Sequence, residues 1–339
     1  MQIVRVHEPG GPEALRIEQV PVPMPQAGEV RVKAHAIGVG RPDVLIRQGT
    51  YKWMPPLPAT PGAEMSGVVD AVGEGVTALS VGQRVLVSSR DLPQRGGCYA
   101  QSIAVPQGAP YLLPDGISHQ DAVSLPNLQL ALALMQAACL MPSEAPRSVL
   151  ITGAAGGVAT MLSQLAKLHG FQTIGTARSE GKRSFALANG FDVVLDSEPE
   201  TLTAQVMHAT QGRGVNLVYD HLGGAYFTAC MRSLSPMGLA ISYNIITGKP
   251  DTDVFGLMRE LLSKSLGVRC FSMHTFDENV SNRRALMNQA IELMAAQKVK
   301  APPAMLMSFN AVIQAHVILD SGATLGKIVL NPHEEGSLV

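Results

Sequence analysis

The chain has 339 residues, of which 46% are hydrophobic and 16% charged, and its formal net charge is −1. This length predicts two domains, and the near-neutral charge gives no support to nucleic-acid binding. The sequence shows neither a run of about 18 apolar residues nor a secretory-signal pattern, so we expect neither a membrane span nor export.

Residues 1 to about 124 predict a domain of short β-strands. Apolar and polar residues alternate between Gly and Pro turns in RVKAHAIGV, AEMSGVVDAVG, QRVLVSS and YAQSIAVP. This period of two is typical of half-buried strands, and it favours an all-β, barrel-like region.

From about 147 the pattern changes to strands that alternate with helices. The strand candidates are SVLIT, QTIGTA, DVVLD, VNLVYD and GLAISY. The alternation predicts βαβ units and a parallel sheet covered on both faces, so the chain is expected to be an α/β protein. The apolar segment LQLALALMQAACLM is too short to cross a bilayer and is expected to pack inside the protein. The remaining segment, 266–339, contains GVRCFSM, a helical stretch and the strand KIVL, and it can complete either domain.

A glycine-rich turn follows the first of these strands, in ITGAAGGVAT at 151–160. Glycine permits a tight turn and lets backbone N–H groups approach a pyrophosphate, whose charge a helix N-terminus favours. The order of strand, glycine turn and helix therefore predicts a dinucleotide site, with Ala159 in the place of a third glycine. The residues expected to bind the cofactor are Gly153, Ala155, Gly156, Gly157 and Val158.

The end of the second strand, QTIGTA, predicts which dinucleotide binds. An acidic residue here would bind the 2′-hydroxyl of NAD, whereas this chain has Arg178, Ser179 and Lys182. Guanidinium, hydroxyl and ammonium groups suit a 2′-phosphate, so NADPH is favoured. The alternative is a solvated helix start in which Ser179 is only the N-cap.

Tyr243 and Asn244 lie at the end of the fifth strand, GLAISY, where ligands of parallel α/β sheets bind. We therefore expect Tyr243 near the cofactor and Asn244 in the substrate pocket. The four cysteines, Cys98, Cys139, Cys230 and Cys270, are far apart and form no CxxC pair. Reduced thiols in a cytoplasmic protein are the simplest interpretation.

Several separated motifs, in the same order along nearly the whole chain, resemble the zinc-independent medium-chain dehydrogenases/reductases of the quinone oxidoreductase or zeta-crystallin-like branch. The motifs are GRPDVLIRQGTY at 40–51, PATPGAEMSGVVDAVGEGV at 58–76, GAAGGVA at 153–159, GVNLVYDHLGG at 214–224 and TLGKIVL at 324–330. The resemblance implies a GroES-like β-barrel catalytic domain at 1–124, a Rossmann domain with a doubly wound parallel sheet at 125–265, and a return to the catalytic domain at 266–339. It also implies a cofactor cleft between the two domains.

The same resemblance bears on zinc, which needs about three protein ligands at a catalytic site. Zinc-dependent relatives have a cysteine near Gly40 and a histidine before Glu64, where this chain has Gly40 and Ala63. His35 is interpreted as a lone structural histidine on a strand. We expect no metal site, and without a Lewis acid the reduction of a polarised acceptor is favoured over the oxidation of an alcohol.

Tyr51 is the catalytic candidate, because QGTY matches the cleft tyrosine of quinone oxidoreductase-like proteins and resembles the proposed proton donor of enoyl thioester reductases. The alternative is aromatic packing at the mouth of the barrel. Trp53 and Asp43 are candidates for the substrate pocket, and Asp43 is also expected to pair with Arg47. Lys327 is a candidate cofactor-side cation, the alternative being a charged residue at a strand edge.

The chain departs from the family pattern at four polar positions. Relatives commonly have Asn at Gly40, Thr at Ala131, Tyr at Ser197 and Arg near Gly322. Three functions therefore stay open: an NADPH-dependent quinone or enone reductase, a 2-enoyl thioester reductase with an acyl pocket near 243–265, and an NADPH-binding scaffold with little catalysis. A homodimer is expected through a β-rich edge formed by GLAISY and GVRCFSM.

Overall fold

The computed structural model describes residues 1–138 and 147–333, and these form two compact units. The first unit contains Met1–Pro126 and the chain from Ile291 onward, and the second is Asn127–Ala290. The chain thus returns to the first unit about 25 residues later than the sequence boundary at 266 suggests. The reason is that strand Gly267–Cys270 pairs with the last strand of the second unit's sheet.

The strands predicted from the sequence are confirmed, with small changes at their ends. In the described residues and in chain order the strands are β1 Gln2–Val6, β2 Leu15–Gln19, β3 Glu29–Val39, β4 Glu64–Val72, β5 Arg84–Ser88, β6 Ser102–Pro106, β7 Tyr111–Leu112, β8 Arg147–Ile151, β9 Phe171–Thr176, β10 Val193–Leu195, β11 Val215–Asp220, β12 Leu234–Ser242, β13 Gly267–Cys270, β14 Ala304–Ser308 and β15 Lys327–Asn331. Four of these strands, namely β1, β2, β7 and β14, are ones that the pattern did not predict.

Helices connect these strands mainly in the second unit. In the described residues they are α1 Arg41–Arg47, α2 His119–Ala122, α3 Leu125–Ala137, α4 Gly157–Leu168, α5 Glu180–Ala188, α6 Pro199–Ala209, α7 Gly224–Arg232, α8 Val254–Glu260, α9 Val280–Ala295 and α10 Val312–Asp320. The predicted apolar segment LQLALALMQAACLM lies in α3 as far as Ala137, and its last residues, from Cys139, lie outside the described residues. None of the helices in the described ranges has the length and apolar character that crossing a bilayer requires.

The first unit is built on a mainly antiparallel sheet. Its strand order is β14-β15-β3-β4-β5-β7, and β6 also pairs with β3. The long strand β3 shows the predicted alternation, since Val30, Val32 and Ala34 are buried while Lys33 and His35 are exposed. The buried face of β3 packs into an apolar core shared with β4, β5 and β15.

The second unit contains a parallel sheet with the strand order β10-β9-β8-β11-β12-β13 in the described part of the chain. In order of appearance this is 3-2-1-4-5-6, the order of the Rossmann fold. The predicted fold class is therefore confirmed. The order reverses between β8 and β11, and ligands of such sheets bind at the carboxyl ends of strands beside this switch point.

Of the two segments predicted to form an exposed sheet edge, only GVRCFSM lies at the edge. GLAISY belongs to β12, which lies between β11 and β13 and has both sides hydrogen-bonded, whereas β13 is the edge strand. The sequence pattern identified both strands but did not show their order in the sheet, because that order depends on pairing between distant segments.

Candidate functional site

The glycine-rich turn joins β8 to α4 at the switch point. The Ala154 N–H donates to the Thr176 carbonyl at 2.8 Å, and the Gly156 N–H donates to the Gly153 carbonyl at 3.0 Å. Gly156 is the N-cap of α4 and supplies no side-chain cap. The first N–H groups of a helix have no carbonyl partner within it, so those at Gly157 and Val158 suit an anion.

The glycine turn is uncrowded at Gly156. A Cβ atom on Gly156 would meet only the Gly153 carbonyl oxygen, at 3.3 Å, and nothing else within 4 Å. The backbone at Gly156 is thus open to close approach, as binding of a pyrophosphate at a glycine turn requires.

Gly153 has a left-handed backbone with φ of +63°. A Cβ atom on this residue would also overlap the imidazole of His221, meeting Cε1 first. Glycine is required here both by its backbone conformation and by the ring beside it.

A buried network holds the switch point together. Asp220, at the end of β11, accepts from the Thr152 hydroxyl at 2.8 Å, from the Gly223 N–H at 2.8 Å and from the Leu222 N–H at 3.2 Å. The Thr152 hydroxyl oxygen accepts from the backbone N–H of His221 at 3.2 Å. The loops after β8 and β11 are thereby locked to each other.

His221 and Tyr243 lie side by side in this network. Their ring centroids are 5.7 Å apart, and the Tyr243 N–H donates to the Asp220 carbonyl at 2.9 Å. Burial lowers the pKa of His221 to about 4, and burial followed by the Asp220 charge raises the pKa of Tyr243. Asn244 is exposed in the loop that follows, where its side-chain oxygen accepts from the Ile245 N–H at 2.9 Å.

Cationic groups cluster after β9. Arg178 and Ser179 are exposed, and the Ser179 hydroxyl caps α5 by accepting from the Lys182 N–H at 3.4 Å. Burial, and then the charge of Arg178, lower the pKa of Lys182. Ser179 is thus the N-cap of α5, as the alternative interpretation predicted. It also lies close in the chain to Arg178 and Lys182, whose charges suit a 2′-phosphate.

Asp43 and Arg47, in the first unit, do not form the predicted pair. The Asp43 carboxylate is fully buried and accepts from the Gly40 N–H at 2.8 Å and the Gly62 N–H at 2.9 Å. Burial, and then the charge of Glu64, raise the pKa of Asp43 to about 7. Asp43 therefore shapes two loops from within, and its place in the substrate pocket stays a prediction.

Arg47 reaches α10 instead. Its Nη2 donates to Asp320 at 2.8 Å and its Nη1 lies 3.3 Å from Nδ1 of the fully buried His316. A guanidinium can only donate, so His316 Nδ1 accepts and its Nε2–H donates to the Tyr99 hydroxyl at 3.0 Å. The partners of Arg47 are set by long-range packing against α10. The local spacing of residues 43 and 47 does not show this packing.

Lys327 lies in β15, between β14 and β3, so the strand-edge alternative is wrong. Its ammonium forms a buried ion pair with Glu64. The charge is thus matched inside the unit, and contact with a cofactor stays a prediction.

Tyr51 and Trp53 are half-buried neighbours after α1. Their ring centroids are 5.8 Å apart, and the Tyr51 N–H donates to the Leu45 carbonyl at 3.2 Å. The structure brings the catalytic candidate and the pocket candidate together in one aromatic pair.

The four departures from the family pattern have different surroundings. Gly40 is the N-cap of α1, Ala131 is buried in α3, and Gly322 has a φ of +66° after α10. The Ser197 hydroxyl is buried and has no hydrogen-bond partner among the described residues.

The interpretation of His35 as a lone histidine is wrong. Its ring stacks on His119 with centroids 4.7 Å apart, and His333 lies 5.9 Å away. Nevertheless, within residues 1–138 and 147–333 no three His, Cys, Asp or Glu side chains are placed to hold a metal ion.

Sequence reasoning missed Thr152, Asp220 and His221. Asp220 is the last residue of β11, and Thr152 and His221 directly follow β8 and β11, the two strands that flank the switch point. That signal was present in GVNLVYDHLGG, but only the strand order shows that this motif lies beside the glycine turn.

Two family models match the chain. Residues 26–115 match the alcohol dehydrogenase GroES-like domain, and residues 157–296 match the zinc-binding dehydrogenase family. The chain is 30% identical to human quinone oxidoreductase over 340 residues, covering 97% of each chain. It is 31% identical to the quinone oxidoreductase of Salmonella typhimurium over 334 residues, covering 97% of this chain and 99% of that one.

Two solved structures of quinone oxidoreductases also match the chain. The structure of Escherichia coli quinone oxidoreductase complexed with NADPH matches with a TM-score of 0.83 and 28% identity, covering 98% of this chain and all of that one. The quinone oxidoreductase of Pseudomonas syringae matches with a TM-score of 0.84 and 28% identity, covering 98% of this chain and 99% of that one.

Proposed function

The chain belongs to the quinone oxidoreductase branch of the medium-chain dehydrogenases/reductases, and on this premise we propose that it is a zinc-free, NADPH-dependent reductase of quinones or α,β-unsaturated carbonyl compounds. The observation that carries the proposal is the cationic cluster of Arg178 and Lys182 at the end of β9, next to an uncapped glycine turn. An NAD site would have an acidic side chain in that place.

The second unit supplies the groups that hold NADPH. The N–H groups of Gly157 and Val158 bind the pyrophosphate at the start of α4, where the helix dipole favours negative charge. Arg178, Ser179 and Lys182 bind the 2′-phosphate through charge-assisted hydrogen bonds. When bound, NADPH supplies a hydride to the acceptor.

Tyr51 supplies the complementary group on the acceptor side. As negative charge develops on the acceptor oxygen, the phenol donates a hydrogen bond or a proton to it. Its aromatic neighbour Trp53, 5.8 Å away between centroids, adds an apolar wall that suits a flat acceptor.

The zinc-free proposal rests on the residues at the positions where zinc-dependent relatives have ligands. Gly40 and Ala63 offer no metal-binding atom in their side chains, and the Glu64 carboxylate is paired with Lys327. Coordination of a metal by Glu64 would break its ion pair with Lys327. Activation of an alcohol by a bound Lewis acid is therefore not part of the proposal.

Reduction of a 2-enoyl thioester is the second candidate, and an exposed apolar loop favours it. Ile245 and Ile246 are each 46% exposed after β12, and Phe255 in α8 is 71% exposed. Apolar side chains at the ligand-binding edge of the sheet suit an acyl chain better than they suit a small quinone.

We also propose a cytoplasmic homodimer in which β13 pairs with its copy, because β13 presents unpaired backbone groups along an edge. Light scattering at micromolar concentration should then give twice the 35.8 kDa mass of one chain.

An acceptor panel tests the proposed function. Stopped-flow oxidation of NADPH bound to the enzyme is measured with a simple quinone, an enone and crotonyl thioester. Fast turnover of the quinone or enone supports the first candidate, and preference for the thioester supports the second. NADPH that binds but is oxidised by none of them would make the protein a binding scaffold.

A further inference from the structure

We propose that His221 is a cofactor-positioning residue whose Nε2 accepts a hydrogen bond from a ribose hydroxyl in the nicotinamide half of NADPH. The inference rests on the proposed function only for the identity of the cofactor. It concerns a side chain that neither the glycine-turn motif nor the cationic cluster includes.

The hydrogen-bond network assigns the tautomer of His221. The Thr152 hydroxyl has one proton, which it donates to Asp220 at 2.8 Å. His221 Nδ1 lies 3.4 Å from the same hydroxyl oxygen, so this contact needs the proton on Nδ1. The neutral ring then carries its lone pair on Nε2.

The Nε2 side of the ring borders the glycine turn. Cε1 and Nε2 are the two atoms of His221 nearest to the position of a Cβ on Gly153, and Nδ1 is farther away. No hydrogen-bond donor among the described residues meets Nε2. An acceptor with no protein partner thus lies beside the turn that binds the cofactor.

The strand order indicates which half of the cofactor His221 faces. The 2′-phosphate cluster of Arg178 and Lys182 follows β9, on one side of β8, whereas His221 follows β11, on the other side. The pyrophosphate site at the start of α4 follows β8 itself and lies between them. A dinucleotide laid across this edge has its nicotinamide half on the His221 side.

The chemistry of that half favours a hydroxyl partner. Phosphate oxygens accept hydrogen bonds and would repel the Nε2 lone pair, whereas the ribose hydroxyls donate. The groups around the ring support the neutral form, because the Asp220 carboxylate is already bonded to Thr152, Leu222 and Gly223. Tyr243 packs against the ring, and burial holds the pKa of His221 near 4, well below neutral pH.

A cycle of protein variants and cofactor analogues tests the inference. Dissociation constants are measured by fluorescence for NADPH and for analogues that lack the 2′- or the 3′-hydroxyl of the nicotinamide ribose. The proteins are the wild type, His221→Phe, which keeps a flat ring without an acceptor, and His221→Gln, which keeps an acceptor oxygen. Thermal unfolding of each protein shows that the variants are folded.

The wild type should bind one deoxy analogue about 10-fold more weakly than NADPH, the effect of about one hydrogen bond. His221→Phe should bind NADPH about 10-fold more weakly than the wild type does, and it should bind NADPH and that analogue with equal affinity. His221→Gln should recover part of the preference for NADPH over the analogue. In ¹⁵N spectra of labelled histidine, Nε2 should show an unprotonated shift that changes when NADPH is added.

Three results would overturn the inference. Equal loss of affinity for NADPH and both analogues in His221→Phe would make His221 a packing residue only. Tighter binding of NADPH at lower pH in the wild type but not in His221→Phe would make the partner a phosphate. Failure of the wild type to bind NADPH at all would overturn the proposed function as well, so the two failures are distinguishable.

Discussion

A Cβ atom on Gly153 would overlap the imidazole of His221, so the observed turn cannot accommodate a side chain at 153 and this ring together. Gly153→Ala should therefore displace the ring and strain a backbone with φ of +63°. We expect NADPH affinity to fall 10-fold or more, measured by fluorescence titration. Gly170→Ala is the matched control, because Gly170 also has a positive φ but a Cβ there would meet nothing within 4 Å. Equal NADPH affinity in the two variants would contradict the prediction.

Arg178→Ala should weaken NADPH binding while leaving NADH binding nearly unchanged. Loss of a charged hydrogen bond to the 2′-phosphate costs about 1–3 kcal/mol, whereas NADH has no phosphate there. Calorimetry with both cofactors measures the difference. Arg213→Ala, at an exposed arginine whose side chain donates to Gln211, is the control for loss of a positive charge elsewhere. A similar loss with NADPH and NADH would show that Arg178 does not recognise the phosphate.

Tyr51→Phe should lower kcat by roughly 100-fold on an enone or enoyl thioester and preserve NADPH affinity, because the phenol donates a proton as the acceptor is reduced. The loss on a quinone should be much smaller, since water can protonate the reduced oxygens after hydride transfer. Tyr111→Phe, which removes a hydroxyl bonded to Asp91, is the control for a lost phenol outside the proposed site. A small, uniform effect on every acceptor would make Tyr51 a packing residue.

Activity should be insensitive to chelators, because Gly40 and Ala63 provide no ligands where zinc-dependent relatives have them. Metal analysis of the purified protein, together with rates before and after treatment with 1,10-phenanthroline, measures this. Stoichiometric zinc that is lost in parallel with activity would overturn the zinc-free mechanism.

His316 should make the protein sensitive to acid. Burial, and then the Arg47 charge, lower its pKa to about 4 from the usual 6.5, although Asp320 acts in the opposite direction. The folded state therefore binds fewer protons than the unfolded state between these values, and stability falls as pH falls from 6.5 towards 4. Asp43, with its pKa raised to about 7, changes stability in the opposite sense, so a variant must isolate His316.

Urea unfolding of the wild type and His316→Gln at pH 7 and pH 4.5 provides that comparison. Between the two pH values the wild type should lose about 2–3 kcal/mol more of its unfolding free energy than the variant loses. Parallel losses in the two proteins would show that His316 does not bind the proton responsible.

The sequence by itself determined the class of the fold and those elements that have a clear local pattern. The alternation along β3 and the strand–turn–helix order around Gly153 depend on residues close together in the chain, so local periodicity and glycine placement reveal them. Arg178, Ser179 and Lys182 also follow a single strand, so their role at a 2′-phosphate could be predicted without knowledge of that strand's neighbours.

Only the tertiary structure decided which side chains meet. Lys327 pairs with Glu64, Arg47 with Asp320, and Thr152 with Asp220, and each partner lies far away in the chain. The order of strands in the sheet, which brings His221 beside Gly153 and puts β12 inside rather than at the edge, is also set by long-range pairing. Burial then fixed the hydrogen bonds and proton positions, because a buried polar group must find its partner among whatever the fold packs against it.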